Sequence, residues 1–156
     1  MSSVRLIKIV SGGQSGVDRA ALDIALKCGM PCGGWCPKGR KAEDGPIEEK
    51  YPLRETEDEQ YETRTRLNIL DSDATLILFQ IEPDKGTLLT KELARIYSKP
   101  FLEVDLNESR KYNLRKTIEW LENHQAEILN VAGPRESNNP GIYSAAYGFL
   151  EALVIS

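Results

Sequence analysis

The hydrophobic positions change period several times along the chain. Arg5 to Val10 is a short β-branched run that stops at Ser11-Gly12-Gly13, which predicts a strand. From Ser15 onward Val17, Ala20, Ala21, Ile24 and Cys28 fall on one helical face, and Gly29 then Pro31 end that helix. Gly33 to Cys36 reads as a second strand stopped by Pro37. Lys38 to Asp58 is rich in charge, glycine and proline and forms a long excursion; long loops in compact domains are usually functional or mobile. Asp58 to Leu70 predicts a helix. Ala74 to Phe79 is apolar on both faces, as in the centre of a parallel sheet. Gly86-Thr87 opens a helix with Leu89, Leu93 and Ile96 on one stripe. Pro100 closes it, and Phe101 to Val104 is the next strand. Ser109 to His124 is helical with Leu114, Ile118 and Leu121 inward, and Glu127 to Val131 is a strand. Gly133 to Pro140 is a turn-rich loop, and Ile142, Ala145, Ala146, Phe149 and Leu153 mark a last helix.

Strands alternate with helices from end to end. That order predicts a Rossmann-like three-layer α/β sandwich with a mainly parallel five-stranded sheet, ordered 2-1-3-4-5. The 156 residues suit one domain, residues 1–156, with no internal repeat or linker. Apolar residues at 40% and charged residues at 28% place the chain among globular proteins rather than disordered ones.

Charge narrows the partners. A net charge of −4 argues against nucleic acid, whose binders carry a basic excess. The first ten residues are too charged for a signal peptide, and no run approaches the ~20 apolar residues of a membrane span, so no membrane partner and a cytoplasmic location are expected. Cys28, Cys32 and Cys36 are spaced by four, without a closer pair or a nearby fourth ligand, and His124 is far off. Neither a disulfide framework nor a protein-ligated metal is expected.

The strongest chemical feature is Ser11-Gly12-Gly13-Gln14-Ser15-Gly16-Val17-Asp18-Arg19, between the first strand and the first helix. Glycines let a ligand approach the backbone, and a helix start offers unpaired N–H groups and a positive dipole end. The dinucleotide fingerprint is only loosely matched and the acidic residue expected after the second strand is not evident, so NAD is not supported. Two further loops fall at the same sheet edge, Asp84-Lys85-Gly86-Thr87 and Asn130 to Ser137. In the excursion Lys38, Arg40 and Lys41 are candidate phosphate clamps. Tyr61, Arg64, Thr65 and Asn68 form a polar stripe on the following helix. Nucleophile-elbow and zinc-peptidase motifs are absent from the sequence.

The runs SGGQSGVDRAALDIAL, GWCPKGRKAEDGPI, YPLRET, YETRTRLNILDSDATLIL, GTLLT and NVAGPRES together resemble the putative molybdenum carrier family, a branch of the YpsA-related SLOG group. It is distantly similar to the lysine-decarboxylase-like nucleotide phosphoribohydrolases. The resemblance implies a nucleotide or molybdenum-cofactor-type pterin phosphate seated on Gly12, Gly13, Gln14, Ser15 and Gly16, with Gly86 and Thr87 opposite. It implies that Lys38, Gly39, Arg40, Asp44, Arg64, Thr65, Asn68, Asp73 and Arg135 line or close the pocket. The phosphoribohydrolases keep a catalytic glutamate where this chain has Thr90, and threonine supplies no carboxylate.

The sequence thus predicts binding of a phosphate-bearing small molecule, with no catalytic residue assigned. The alternatives are a nucleotide-processing hydrolase using Glu43 or Asp44, and a nucleotide-sensing signalling module. Trp120, beside Leu114, Ile118 and Leu121, suggests an outward apolar edge, and a homodimer or larger homo-oligomer is expected.

Overall fold

The computed structural model describes residues 6–156, so Arg5 of the first predicted strand lies outside the described residues. In chain order the elements are β1 (Lys8–Val10), α1 (Val17–Cys28), β2 (Cys32–Gly33), β3 (Trp35–Cys36), β4 (Arg54–Glu55), α2 (Tyr61–Leu70), β5 (Ala74–Phe79), α3 (Lys85–Ile96), β6 (Phe101–Asp105), α4 (Arg110–His124), β7 (Ile128–Ala132) and α5 (Ile142–Ile155). Gly29 takes the left-handed conformation that ends α1, and the side chains of Asp84 and Ser109 cap α3 and α4. Among the described residues no helix is long and apolar enough to cross a membrane.

The Rossmann-like α/β class holds: five parallel strands form one sheet in the order β2-β1-β7-β5-β6. The strand order 2-1-3-4-5 does not. Counted over the five expected strands it is 2-1-5-3-4, because the last strand enters between the first and the third. Chain neighbours are usually sheet neighbours, and that tendency fails here. Counted from β7 as the first strand, the order becomes 3-2-1-4-5, the doubly wound arrangement entered at a different point of the chain.

Side-chain alternation divides the sheet into two faces. Ile9, Leu76, Leu78, Leu129 and Val131 pack with residues of α1, α4 and α5 in the main core. Thr75 and Asn130 point to the opposite face, where Asn130 Nδ2 donates to Thr75 Oγ1 at 3.2 Å. There α2 packs on α3.

Four local expectations need correction. The second strand is broken at Gly34, which sits at φ 135°, where a Cβ would lie 2.2 Å from the Ser11 carbonyl oxygen. β2 therefore joins the main sheet, while β3 pairs with β4 in a separate two-stranded sheet. On α3 the inward face is Thr87, Thr90, Leu93 and Ala94, and Ile96 is exposed. Two threonines take positions that the apolar stripe assigned to aliphatic residues. Cys28, expected inward on α1, is exposed, and Trp120 packs partly against the core.

Leu76 is fully buried in the central strand, so Leu76→Ala removes core volume with little room for collapse. It is expected to cost about 2–5 kcal/mol in urea denaturation. Leu88 is 52% exposed, and Leu88→Ala should stay within about 0.5 kcal/mol of the parent. Equal losses in the two variants would contradict this assignment of the core.

Candidate functional site

β1, β5 and β7 are neighbours in the sheet or one strand apart, and each opens at its carboxyl end into a loop that starts a helix. Between β7 and β5 the connections diverge, the point at which open α/β sheets hold ligands. A cavity of about 250 Å³ lies there. Gly12 and Gln14 of the first loop line it, with Lys85, Gly86 and Thr90 of α3, Asn130 to Gly133 of β7 and its loop, and Arg135. Tyr61, Arg64, Thr65 and Asn68 of α2 form its side.

Its frame is a buried ion pair. Asp18, on the first turn of α1, is almost inaccessible, and Arg64 reaches across from α2 to donate to its Oδ2 at 2.9 Å. The guanidinium lies where a side chain at position 12 would be: a Cβ on Gly12 would fall 1.7 Å from Arg64 Nη1. Burial pushes the Asp18 carboxyl above the usual carboxylate range, and Arg64 offsets only part of that effect. Tyr61, one turn earlier on α2, has the Arg64 and Arg135 guanidiniums each 5.4 Å from its ring centre, within cation–π reach.

Several donors here have no acceptor. Gln14 Nε2 and Arg64 Nε are buried without a hydrogen-bond partner, and Thr87 Oγ1 is a buried hydroxyl in the same state beside Gly86. A buried unsatisfied donor costs about 1–3 kcal/mol, so a group of them in or just behind the wall of one crevice needs an explanation. Gln14 Oε1, by contrast, accepts from Ser15 N–H at 3.0 Å and Glu43 N–H at 2.8 Å. Those two donors also fix which atom of the amide is the oxygen.

The rest of the first loop is engaged within the protein. Gly13 N–H donates to Ser11 Oγ at 3.2 Å, and Val17 N–H to the Pro134 carbonyl at 3.4 Å. Gly16, at φ 82°, has the Pro134 carbonyl oxygen 2.5 Å from where a Cβ would stand. The head of α1, which has no side-chain cap of its own, holds the Glu43 carboxylate. Glu43 accepts from Ser15 Oγ, from Ser137 Oγ at 2.5 Å and from Ser137 N–H at 3.2 Å. Asp44 beside it takes both Arg19 Nη groups, at 2.9 and 3.0 Å.

Of the residues expected at the site, Gly12, Gln14, Arg64, Thr65, Asn68, Gly86 and Arg135 come together at the cavity. Thr87 is buried behind them, with its N–H on the Asp84 cap at 2.9 Å. Gly13, Ser15 and Gly16 belong to the neighbouring contact with the excursion and the β7–α5 loop. Lys38 and Gly39 are exposed away from the cavity. Arg40 donates to four carbonyls of its own excursion, at Ile47, Glu48, Tyr51 and Leu53, and so acts as its internal post. Asp73 precedes β5, and so lies at the opposite sheet edge, where its Oδ2 accepts from Glu127 and Ile128 N–H. Asp18, Lys85 and Asn130 were not singled out by sequence. For Asn130 the signal was a polar residue inside an otherwise apolar strand. The three cysteines are free, and among the described residues no group of three or more His, Cys, Asp or Glu is placed to hold a metal ion.

Partial burial pushes Glu43 and Asp84 up, but their hydrogen bonds, from Ser137 and Ser15 to Glu43 and from Asn138 and Thr87 to Asp84, hold both below the usual range. The Arg19 hydrogen bonds and charge do the same for Asp44. Stability from depressed carboxylates is fully present above the ordinary carboxylate pKa and is lost as pH falls through the folded values. Asp18, raised in the fold, works in the opposite sense. The three depressed groups predict that the melting temperature falls as pH drops below about pH 4, opposed in that range by Asp18. A melting temperature that climbs steadily to pH 3 would reverse that balance. Arg64→Ala strands a buried charge and should cost about 3–5 kcal/mol. Gly12→Ala displaces the same guanidinium, so in a double-mutant cycle the two losses should sum to more than the double variant shows. Strict additivity would dissociate Gly12 from the ion pair.

Comparison with known proteins agrees with this fold. Residues 9–154 match the model of the family described as circularly permutated YpsA SLOG. A crystal structure of the protein named putative molybdenum carrier protein, from Syntrophus aciditrophicus SB, superposes with a TM-score of 0.93 at 44% sequence identity. The match covers 96% of this chain and 95% of that one. Among curated proteins none matches significantly. The permuted strand order and the match over nearly the whole chain place this protein in one family: it belongs to the circularly permutated YpsA SLOG family.

Proposed function

We propose that the cavity between β5 and β7 binds a small molecule bearing one phosphate and one ring system, a nucleoside monophosphate or a phosphorylated pterin of the molybdenum-cofactor type, and holds it without turnover. The observation that carries this reading is the set of buried, unpartnered donors in the wall of the crevice, Gln14 Nε2 and Arg64 Nε, with Thr87 Oγ1 next to the lining residue Gly86. Phosphate oxygens accept several hydrogen bonds at once and suit guanidinium donors above all. Lys85 and Arg135 add positive charge at the rim, and the Tyr61 face offers a surface for a flat ring. A cavity of about 250 Å³ lies below the roughly 300–1,000 Å³ of sites that take drug-sized ligands, which favours a mononucleotide-sized ligand over a dinucleotide. The name of the Syntrophus protein speaks of carrying molybdenum, and a pterin cofactor is a ligand that would bring such a metal centre with it.

The absence of turnover rests on what the nearby groups already do. Thr90, at the position where the phosphoribohydrolases keep a glutamate, donates its hydroxyl to the Gly86 carbonyl at 3.0 Å. Asp18 is bound to Arg64, and Asp84 caps α3 and accepts from Asn138 at 2.9 Å. General acid–base catalysis needs a group free to move a proton in the transition state.

Isothermal titration with a panel of nucleoside monophosphates and phosphorylated pterins tests the reading. One class should bind, and Arg135→Ala should weaken it about tenfold or more, the order expected for a lost hydrogen bond to a charged group. Chromatography of the same mixtures should show no released base. The reading fails if the folded protein binds no member of the panel. Release near the ~10 s⁻¹ median of enzymes would instead overturn the claim of binding without turnover.

A further inference from the structure

The excursion from Lys38 to Asp58 packs around a small second core that it shares with α1 and β3. Ile47, Tyr51 and Leu53 pack with Cys36 and Leu22 of α1, and the Arg40 guanidinium ties four of its carbonyls together. Beyond that core projects a tip, residues 41–46, closed at its base by the Ile47 N–H to Arg40 carbonyl hydrogen bond of 2.8 Å. Gly39 just before the tip and Gly45 within it have positive φ, 82° and 110°, with no atom within 4 Å of either Cβ position. The tip thus has an open, conformationally permissive position near each end. Ala42 packs against the small core and Lys41 Nζ stands 5.9 Å from the Tyr61 ring centre; the other contacts of the tip are polar, Glu43 on Ser15 and Ser137, Asp44 on Arg19, and Glu43 N–H on Gln14.

Gln14 stands between this tip and the cavity. Its oxygen holds the Glu43 and Ser15 N–H groups, while its nitrogen is buried with no acceptor, on a residue that is 5% exposed and stands in the cavity wall. A side-chain amide is rigid and planar, so fixing one end orients the other. An acceptor oxygen in the cavity that takes Nε2 therefore holds Oε1 in the position that seats the tip.

We propose that the tip is a strap coupled to the cavity through Gln14, and that Glu43, which does not line the cavity, is a positioning residue for the ligand bound there. This inference rests on the reading of the cavity as a phosphate-ligand site. Filling the cavity tightens the strap over the head of α1. By reciprocity, loosening the strap weakens ligand binding by the same factor. Coupling free energies between sites usually correspond to factors of about 5–150, and an effect of about fivefold or more is expected here.

The test uses the full chain and, as the probe, the tightest binder among the nucleoside monophosphates and phosphorylated pterins of the panel. Amide hydrogen exchange is followed over residues 41–46 with and without the probe. Protection of the tip should rise about fivefold or more in the parent protein and stay flat in Gln14→Ala. Ser137→Ala, which removes an exposed anchor of Glu43 outside the cavity, should weaken probe binding about fivefold, and Glu43→Gln should do the same. A single cooperative melting transition, kept in both variants well above the assay temperature, would separate this from loss of fold. Probe binding that leaves tip exchange unaltered, or that is as tight in Ser137→Ala and Glu43→Gln as in the parent, overturns the coupling and leaves the cavity assignment intact. Binding by no member of the panel overturns both.

Discussion

The candidate site depends on keeping one charge out of water. Asp18 is buried on the first turn of α1, and an unpaired carboxylate there would be untenable. Arg64 neutralises it from α2, and the route of that side chain dictates much around it. It passes over residue 12, which must lack a Cβ. It fixes the approach of α2 to the loops of the sheet, and so places Tyr61 and Asn68, which flank Arg64 on the same helix, at the same crevice. Asn68 in turn grips the Trp35 backbone at both its N–H and its carbonyl, at 2.7 and 3.0 Å, and so ties β3 to α2. One ion pair thus coordinates a glycine loop, a helix and the start of the excursion.

Two arginines of similar local context have opposite tasks. Arg40 and Arg64 both lie in charged, polar stretches. Arg40 turns its guanidinium into its own loop and saturates it with carbonyls. Arg64 keeps one nitrogen on Asp18 and leaves Nε without a partner. A guanidinium that has found four carbonyls has little left to offer a phosphate, whereas one held by a single carboxylate still has.

The elements were largely legible because each carries its own local mark. The apolar run of β5, the caps of α3 and α4 and the left-handed Gly29 are properties of a few adjacent residues. What escaped depends on contacts between distant segments. The break at Gly34 is imposed by the Ser11 backbone, the place of β7 by its pairing with β1 and β5, and the inward threonines of α3 by a polar crevice rather than an oily one. The glycine loop was recognised as an anion cradle, yet part of that cradle holds Glu43 of the same chain. A solvated charged loop and a loop folded back onto a helix head have the same composition.

The position of β7 also governs the order in which the molecule can assemble. During synthesis β1 and β2 emerge early, and β5 and β6 can pair as soon as both exist. These are two half-sheets, each with an open edge toward the other. Neither edge is covered until residues near 128 arrive, because β7 alone pairs with both β1 and β5. Bare edges invite pairing with other chains. The closing register joins Lys8 to Ile128, a contact of long sequence separation that makes closure slow relative to helix formation. A nascent chain lacking its last thirty or so residues is therefore not a smaller version of the domain but two sticky ribbons, and the window before closure is when a chaperone matters most.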